Sequence, residues 1–293
     1  MEKRRNMKKI IHLSDLHIGC IEDDGTNSLK EHFDETISYL TNKIENPEDH
    51  IVIITGDIVH DANRDDFNHA AEKFKELRTR GYKVYVLPGN HDYRVKEEKS
   101  GDIKSEEQAR DIFMETFYGG DGSFPKKDII PFNGPEGVEQ KIALIGLDSD
   151  AEQLKGSYGE LGETQINALA TWLEKPEIQE CDFRVVYLHH NPFAHRLSLW
   201  GMKLLDGRKF KKVLKKKKVS LLLYGHTHSM AFKINKKKIG LSIDGGATTG
   251  RRGKNQPPRI IDIAAIDFKK LEDYEKEEVT EMYFDFIRED WRK

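Results

Sequence analysis

Five short clusters hold most of the side chains in this sequence that are able to do chemistry: Asp15-X-His17, Gly56-Asp57, Asn90-His91-Asp92, His189-His190 and His226-X-His228. Each follows directly on an apolar, β-branched run, and no cysteine accompanies any of them. Carboxylate, amide and imidazole donors without thiolate suit Mn, Fe, Zn or Ni rather than a structural cysteine-type zinc site. One ion needs about four protein ligands. Asp15, His17, Asp57, Asn90, one or both of His189 and His190, His226 and His228 are enough for two ions that share a carboxylate. Two divalent ions roughly 3.5–4 Å apart are a recurrent device for in-line displacement at phosphorus. Such a reaction also needs a group that protonates or stabilises the leaving oxygen.

The clusters only matter if the chain brings them together. Residues 9–13, 51–54, 83–87, 142–147, 183–188 and 219–224 read as buried strands. Leu29, Phe33, Ile37, Leu40 and Ile44 make a helical stripe after the first strand, and Phe67, Ala70, Ala71, Phe74 and Leu77 make another after the second. Gly81 closes that second helix. Strand, helix, strand, helix, strand implies a parallel sheet with right-handed crossovers. In such sheets ligands bind beyond the carboxyl ends of the strands, so clusters placed there converge on one edge. The third strand shows the pattern most clearly, because Pro88-Gly89 stops it abruptly and Asn90-His91-Asp92 follows at once.

Further helices are expected over 106–117, 164–174 and 206–217, while 119–137, rich in Gly and Pro, reads as irregular. Beyond residue 224 the helices give way to strands: 230–234 and 239–243 flank a hairpin-like 235–238, and 260–268 and 279–287 follow. No repeat or low-complexity linker interrupts the chain. The expectation is one domain over 1–293, with a core at about 7–268 and a C-terminal strand extension at 269–293.

Composition narrows the class. A net charge of −3 over 293 residues gives no global pull towards nucleic acid or anionic membrane. Two distant cysteines, Cys20 and Cys181, argue against a disulfide framework and for a cytoplasmic setting. No apolar run approaches the roughly 20 residues of a membrane span.

With their order and strand context, Asp15-X-His17, Gly56-Asp57, Gly89-Asn90-His91-Asp92, His189 and Gly225-His226-X-His228 resemble the signature of the calcineurin-like metallophosphoesterases. The resemblance spans about residues 7–268. It implies an α/β fold, a four-layer α-β-β-α sandwich of two mixed sheets flanked by helices, the late strands forming much of the second sheet. It places Asp15, His17 and His228 on one divalent ion, Asn90, His189 and His226 on the other, and Asp57 between them. Manganese is the ion expected first. It makes His91 the proton donor to the leaving oxygen and Asp92 the residue that orients it. Counting from the strand end selects His189 as ligand, whereas counting back from Pro192 selects His190.

The function this implies is hydrolysis of a phosphate ester, most simply a small phosphodiester, by hydroxide held between the ions. The paired histidines before Pro192 are similar to the cyclic-nucleotide and glycerophosphodiester branch. Ser14-Asp15-Leu16-His17-Ile18-Gly19 is similar to the nuclease branch. Monoesterase, nucleotide pyrophosphohydrolase and metal-free scaffold are the alternatives. His195 and the cationic loop residues Arg251 and Arg252 are candidates for gripping substrate. His12 reads as a core histidine, His60 and His69 as surface or helix residues, and the basic run 208–218 as a solvated face.

Overall fold

The computed structural model describes residues 9–21, 28–120, 123–133, 138–151, 157–193, 202–217, 219–229, 232–234, 240–249, 259–262, 281–285 and 290–292. Its first half runs β1 (Lys9–Leu13), α1 (Ser28–Lys43), β2 (His50–Thr55), α2 (Arg64–Arg80) and β3 (Lys83–Leu87). The sequence signals act locally as expected. Asn63 caps α2 by accepting the Asp65 amide at 2.9 Å, and Gly81, at φ +111°, ends it. β1, β2 and β3 pair in parallel, Ile11 opposite Val52 and Val52 opposite Val84.

Next come the one-turn α3 (Asn90–Tyr93), α4 (Glu106–Tyr118), β4 (Lys126–Asn133), β5 (Glu139–Gly146), α5 (Gly162–Trp172), the short α6 (Pro176–Gln179), β6 (Phe183–Tyr187), α7 (Gly207–Lys217) and β7 (Leu221–Tyr224). Five further strands are β8 (Phe232–Ile234), β9 (Leu241–Asp244), β10 (Arg259–Asp262), β11 (Glu281–Asp285) and β12 (Asp290–Arg292). One six-stranded sheet has the order β12-β11-β10-β1-β2-β3 and the other β4-β5-β6-β7-β9-β8.

Two expectations are corrected. Residues 119–137 contain a strand, β4, and it forms the edge of its sheet, the place where Pro131 removes no needed hydrogen bond. The late strands divide between the sheets: β8 and β9 complete the second, while β10 pairs antiparallel with β1 and carries β11 and β12 onto the first. A free edge of β1 is therefore covered by chain from the far end of the sequence.

The strand period of two sorts the core into layers. Ile11, Leu13, Val52 and Ile54 point outwards into a cluster with Phe33, Phe67, Phe74 and Phe113 from α1, α2 and α4. Their neighbours Ile10, Ile51, Ile53 and Leu87 point inwards against Leu144, Val185, Leu223 and Ile243 of the second sheet. Ala143, Ile145, Val186 and Leu222 face the other way, onto Leu169, Ile178, Phe210 and Leu214 of α5, α6 and α7. Fully burying a side chain of this kind is worth about 1.5–3 kcal/mol, so the packed layers fix the strand ends relative to one another. No helix among the described residues is long and apolar enough to cross a membrane.

Candidate metal centre

The turns that leave β1, β2 and β7 are tight and unusual. Asp15, His17, Asp57, His226 and His228 all have φ between +48° and +72°, a left-handed backbone that non-glycine residues rarely adopt. Each such residue costs of order 1–3 kcal/mol unless its surroundings over-determine it. Here they do. Beyond the sheet proper, the Asp15, His17 and Ile18 amides donate to the Gly56, Asp57 and Ile58 carbonyls at 2.9–3.0 Å, and the His60 amide returns to Ile18 at 2.8 Å. The β1 and β2 loops are thus zipped together past their strands.

Glycines allow two close approaches, at Gly225 between the sheets and at Gly89 between neighbouring turns of the first sheet. A Cβ on Gly225 would lie 1.9 Å from Ser14 Oγ and 2.5 Å from Asp15 Oδ2, and one on Gly89 would lie 2.4 Å from Asp57 Oδ1. The close approach allows the His226 amide to donate to both Asp15 oxygens, at 3.1 and 3.0 Å. Ser14 also bonds Thr248 on the loop after β9, amide to hydroxyl at 2.9 Å and carbonyl to amide at 2.8 Å.

Three donor sets result among the described residues; one joins His17 to His60 and His91, and the other two share Asp57. In one of these two, ligand atoms of Asp15, His17, Asp57 and His228 lie within 4.8 Å of one another; in the other, those of Asp57, His189 and His226 do. Asn90 Oδ1 joins the second set, 3.3 Å from His189 Nε2. His189 enters and His190 does not: the His190 amide and Nδ1 engage Ser149 Oγ, at 3.0 and 2.8 Å.

Backbone carbonyls decide which nitrogen of each ring points inwards. A carbonyl only accepts, so His189 Nδ1 donates to Thr55 at 2.7 Å and His226 Nε2 donates to Ser157 at 3.0 Å. That leaves His189 Nε2 and His226 Nδ1 facing each other at 3.2 Å, while His17 Nε2 and His228 Nε2 face each other at 3.1 Å. In the neutral rings, nitrogens aimed at each other beside buried carboxylates need a proton or a cation between them. Carbonyl-anchored imidazoles are the usual support for metal ligands. The donor set fits two divalent ions.

Protonation of the protein alone tells the same story. Burial opposes charge on Asp15, but His228 outweighs it and holds the carboxyl down at about 2. Burial likewise opposes charge on Asp57, and His189 and His91 hold it well below the usual range. On His189 burial is overcome by Asp57, which lifts the imidazolium to about 10, and burial with that charge drives His226 down to about 3. A proton on His189 occupies the place a cation would take.

His91 stands at the edge of this cage. Its amide donates to Asp57 Oδ1 at 2.8 Å, and its ring lies edge-on to His17 with centroids 4.6 Å apart. Asp92 does not orient it, which corrects the sequence expectation. The Asp92 carboxylate is fully buried and accepts the Gly89 and Val59 amides at 2.8 and 3.0 Å, bracing the turn after β3 against the turn after β2. The His91 ring is held instead by the His60 carbonyl, 2.7 Å from Nδ1.

Two neighbours escaped sequence reading. His60, expected at the surface, packs its ring against His91 and His17, with centroids 5.1 and 5.6 Å away. Arg94 brings Nη1 to 3.3 Å from His91 Nε2. The only signal for either was proximity in sequence, three residues past Asp57 and three past His91. His12 is buried against Thr55 Oγ1 at 2.9 Å, and His69 pairs with Asp34 at 2.7 Å on the helix layer. His195, Arg251 and Arg252 lie outside the described residues.

Comparison with known proteins agrees with this geometry. The family description calcineurin-like phosphoesterase matches residues 8–230. No curated protein sequence matches. Among solved structures, the GAP50 anchor of the Plasmodium inner membrane complex superposes with a TM-score of 0.56 at 13% identity, covering 88% of this chain and 82% of that one. Phosphopantetheinyl hydrolase from Mycobacterium tuberculosis gives 0.49 at 15% identity, over 85% and 93% of the chains. The purple acid phosphatase of yellow lupin gives 0.47 at 12% identity, over 82% of this chain and 44% of that one.

Proposed function

Because this chain belongs to the calcineurin-like phosphoesterases, we propose that it is a hydrolase of small phosphodiesters that uses two divalent ions, manganese first among them. The observation that carries the reading is the pair of donor sets joined at Asp57, with His91 at their edge. Fold alone would not do so, since one fold hosts many functions and one structural neighbour is named as an anchor. A scaffold has no use for five strained backbone positions that aim imidazoles and carboxylates at one point.

Asp15, His17, Asp57 and His228 would hold one ion, and Asp57, Asn90, His189 and His226 the other. Ions there supply polarisation of the phosphoryl oxygens and a water of lowered pKa. The chain's own residues do the rest. Asp57 and Asp15 are kept ionised by the imidazoles around them. The Thr55 and Ser157 carbonyls hold His189 and His226 in the tautomers that present lone pairs. His91, tied at Nδ1 to the His60 carbonyl, would carry a second proton at Nε2 and give it to the leaving oxygen.

Arg251 and Arg252 follow a loop that is pinned to the Ser14 turn by Thr248 and whose Thr249 hydroxyl donates to the Leu16 carbonyl at 2.9 Å. That anchoring supports a role for the two arginines on substrate phosphate, and His195 is proposed for the same role. Two cations of the basic helix α7 are paired, Lys209 with Glu163 at 2.8 Å and Lys217 with Glu174, which supports a small substrate over a nucleic acid. Buried free thiols at Cys20 and Cys181 suit a reducing cytoplasm. The test is turnover of bis-p-nitrophenyl phosphate against p-nitrophenyl phosphate with Mn²⁺. The diester is expected to be preferred; a strong preference for the monoester removes the diesterase assignment and leaves a monoesterase.

A further inference from the structure

A cavity of about 200 Å³ lies beside the metal centre and takes no part in holding ions. Gly19, Ile21, Asp61, Asn63, Asp66 and Lys99 line it. Its walls belong to the turns that carry the ligands. Gly19 comes two residues after His17, and the Ile18 carbonyl accepts the His60 amide at 2.8 Å, one residue before Asp61. Arg94 joins the two places. Its Nε donates to Asp61 Oδ1 at 2.6 Å while Nη1 lies 3.3 Å from His91 Nε2, so one guanidinium spans from the cavity wall to the edge of the cage.

The cavity is rich in acceptors and short of donors. Asp61 is 5% exposed; its Oδ1 takes both Arg94 and, at 3.3 Å, Lys96, and its Oδ2 is buried without a hydrogen-bond partner. Native proteins seldom leave such an atom unmatched. Asp66, on α2, packs so closely on Gly19 that a Cβ there would lie 2.2 Å from Asp66 Oδ2. Its carboxylate has no hydrogen bond or ion pair among the described residues. Burial, with Asp65 beside it, pushes that carboxyl up against the weaker pull of His69 and Lys30. Asn63 is already spent, since its Oδ1 caps α2 and its Nδ2 donates to the Lys99 carbonyl at 2.8 Å. Exposed Ile21 adds an apolar side, and exposed Lys99 is the cation at the rim.

Such a hollow takes a short carbon chain that ends in a donor, and an ammonium offers three N–H bonds and no acceptor. We infer that this cavity seats the leaving alcohol of the substrate, and that this alcohol carries an ammonium group a few carbons from the ester oxygen, held by Asp61 and Asp66. The inference rests on the proposed diesterase reading and adds a substrate class to it. The test compares kcat/KM, with Mn²⁺, for methyl propyl phosphate and for its analogues with an amine, a hydroxyl or a carboxylate at the end of the propyl chain. In the native chain the amine should be preferred to plain propyl by about 10–150-fold, the worth of a hydrogen bond to a charged group, with the hydroxyl between them and the carboxylate last. Asp66→Ala should bring the amine and propyl esters together, and Asp66→Lys should move the carboxylate ester ahead of the amine. Intrinsic leaving ability cancels when these ratios are compared between native and variant chains, and circular dichroism reports whether each variant is folded.

Equal turnover of the four esters by the native chain, which needs no variant to fold, overturns the inference. A preference for the carboxylate or for plain propyl overturns it too. An Asp66→Ala chain that slows every ester alike places Asp66 in the fold rather than on the substrate, and an unchanged preference for the amine removes Asp66 from the site; either result overturns the assignment. Diester turnover without selectivity leaves the diesterase reading standing and removes only the role of the cavity. No turnover of any diester beside brisk turnover of p-nitrophenyl phosphate removes both.

Discussion

At the scale of single residues, the site is built from atoms whose ordinary partners have been taken away. His189 and His226 spend one nitrogen each on a backbone carbonyl and point the other at each other, 3.2 Å apart. A group in that position binds a proton or a cation, and at neutral pH the free protein holds the proton, because Asp57 lifts His189 to about 10. Metal binding near pH 7 is therefore expected to release at least one proton, read by titration calorimetry in buffers of different ionisation enthalpy. Uptake with no proton release would contradict the assignment of His189 as a ligand. His189→Ala should lose one of two bound ions, whereas His190→Ala should keep both, because Ser149 Oγ already engages the His190 ring. The sequence left this pair open, since strand-end counting and proline counting disagree; only the packing of His190 against Ser149 separates them. Asp92 went the other way. Adjacency to His91 made it look like an orienter, but the Gly89 amide of its own turn and the Val59 amide of the turn after β2 take its carboxylate.

Elements come next, and here the strand ends were legible for a physical reason. A buried strand is apolar until it leaves the sheet, so the first polar residues after each run mark the edge, and a parallel β-α-β order puts those edges side by side. β4 was not legible: an edge strand has one partner, tolerates Pro131, and so lacks the apolar run by which buried strands are recognised. The path of β10 to β12 was not legible either, because nothing in a local pattern says which sheet a late strand will join. Closure of the two sheets around the site depends on the glycine at the end of β7. Gly225→Ala places a methyl group against Ser14 and Asp15. It should destabilise the fold by about 1–3 kcal/mol, seen in urea melts, and also weaken the ion held by Asp15 and His228. Native metal affinity in that variant would show that the approach of the sheets does not shape the site.

For the whole molecule, packing and function are linked through strain. Asp15, His17, Asp57, His226 and His228 occupy costly left-handed backbone, and three layers of buried side chains hold them there. The cost is returned when ions bind, since ligands already in place lose little freedom. Binding to the folded state alone should then raise Tm in step with ion concentration. If the proposed function holds, the Mn²⁺ dependence of both stability and turnover should rest on the shared carboxylate of Asp57. The most direct measurement of the central claim is a Mn²⁺ titration of chelator-stripped protein, following bis-p-nitrophenyl phosphate hydrolysis. The native chain should gain activity up to two equivalents and then level off, and Asp57→Asn should gain none. Full activity with one equivalent, or a fully active Asp57→Asn, would contradict a two-ion centre joined at Asp57.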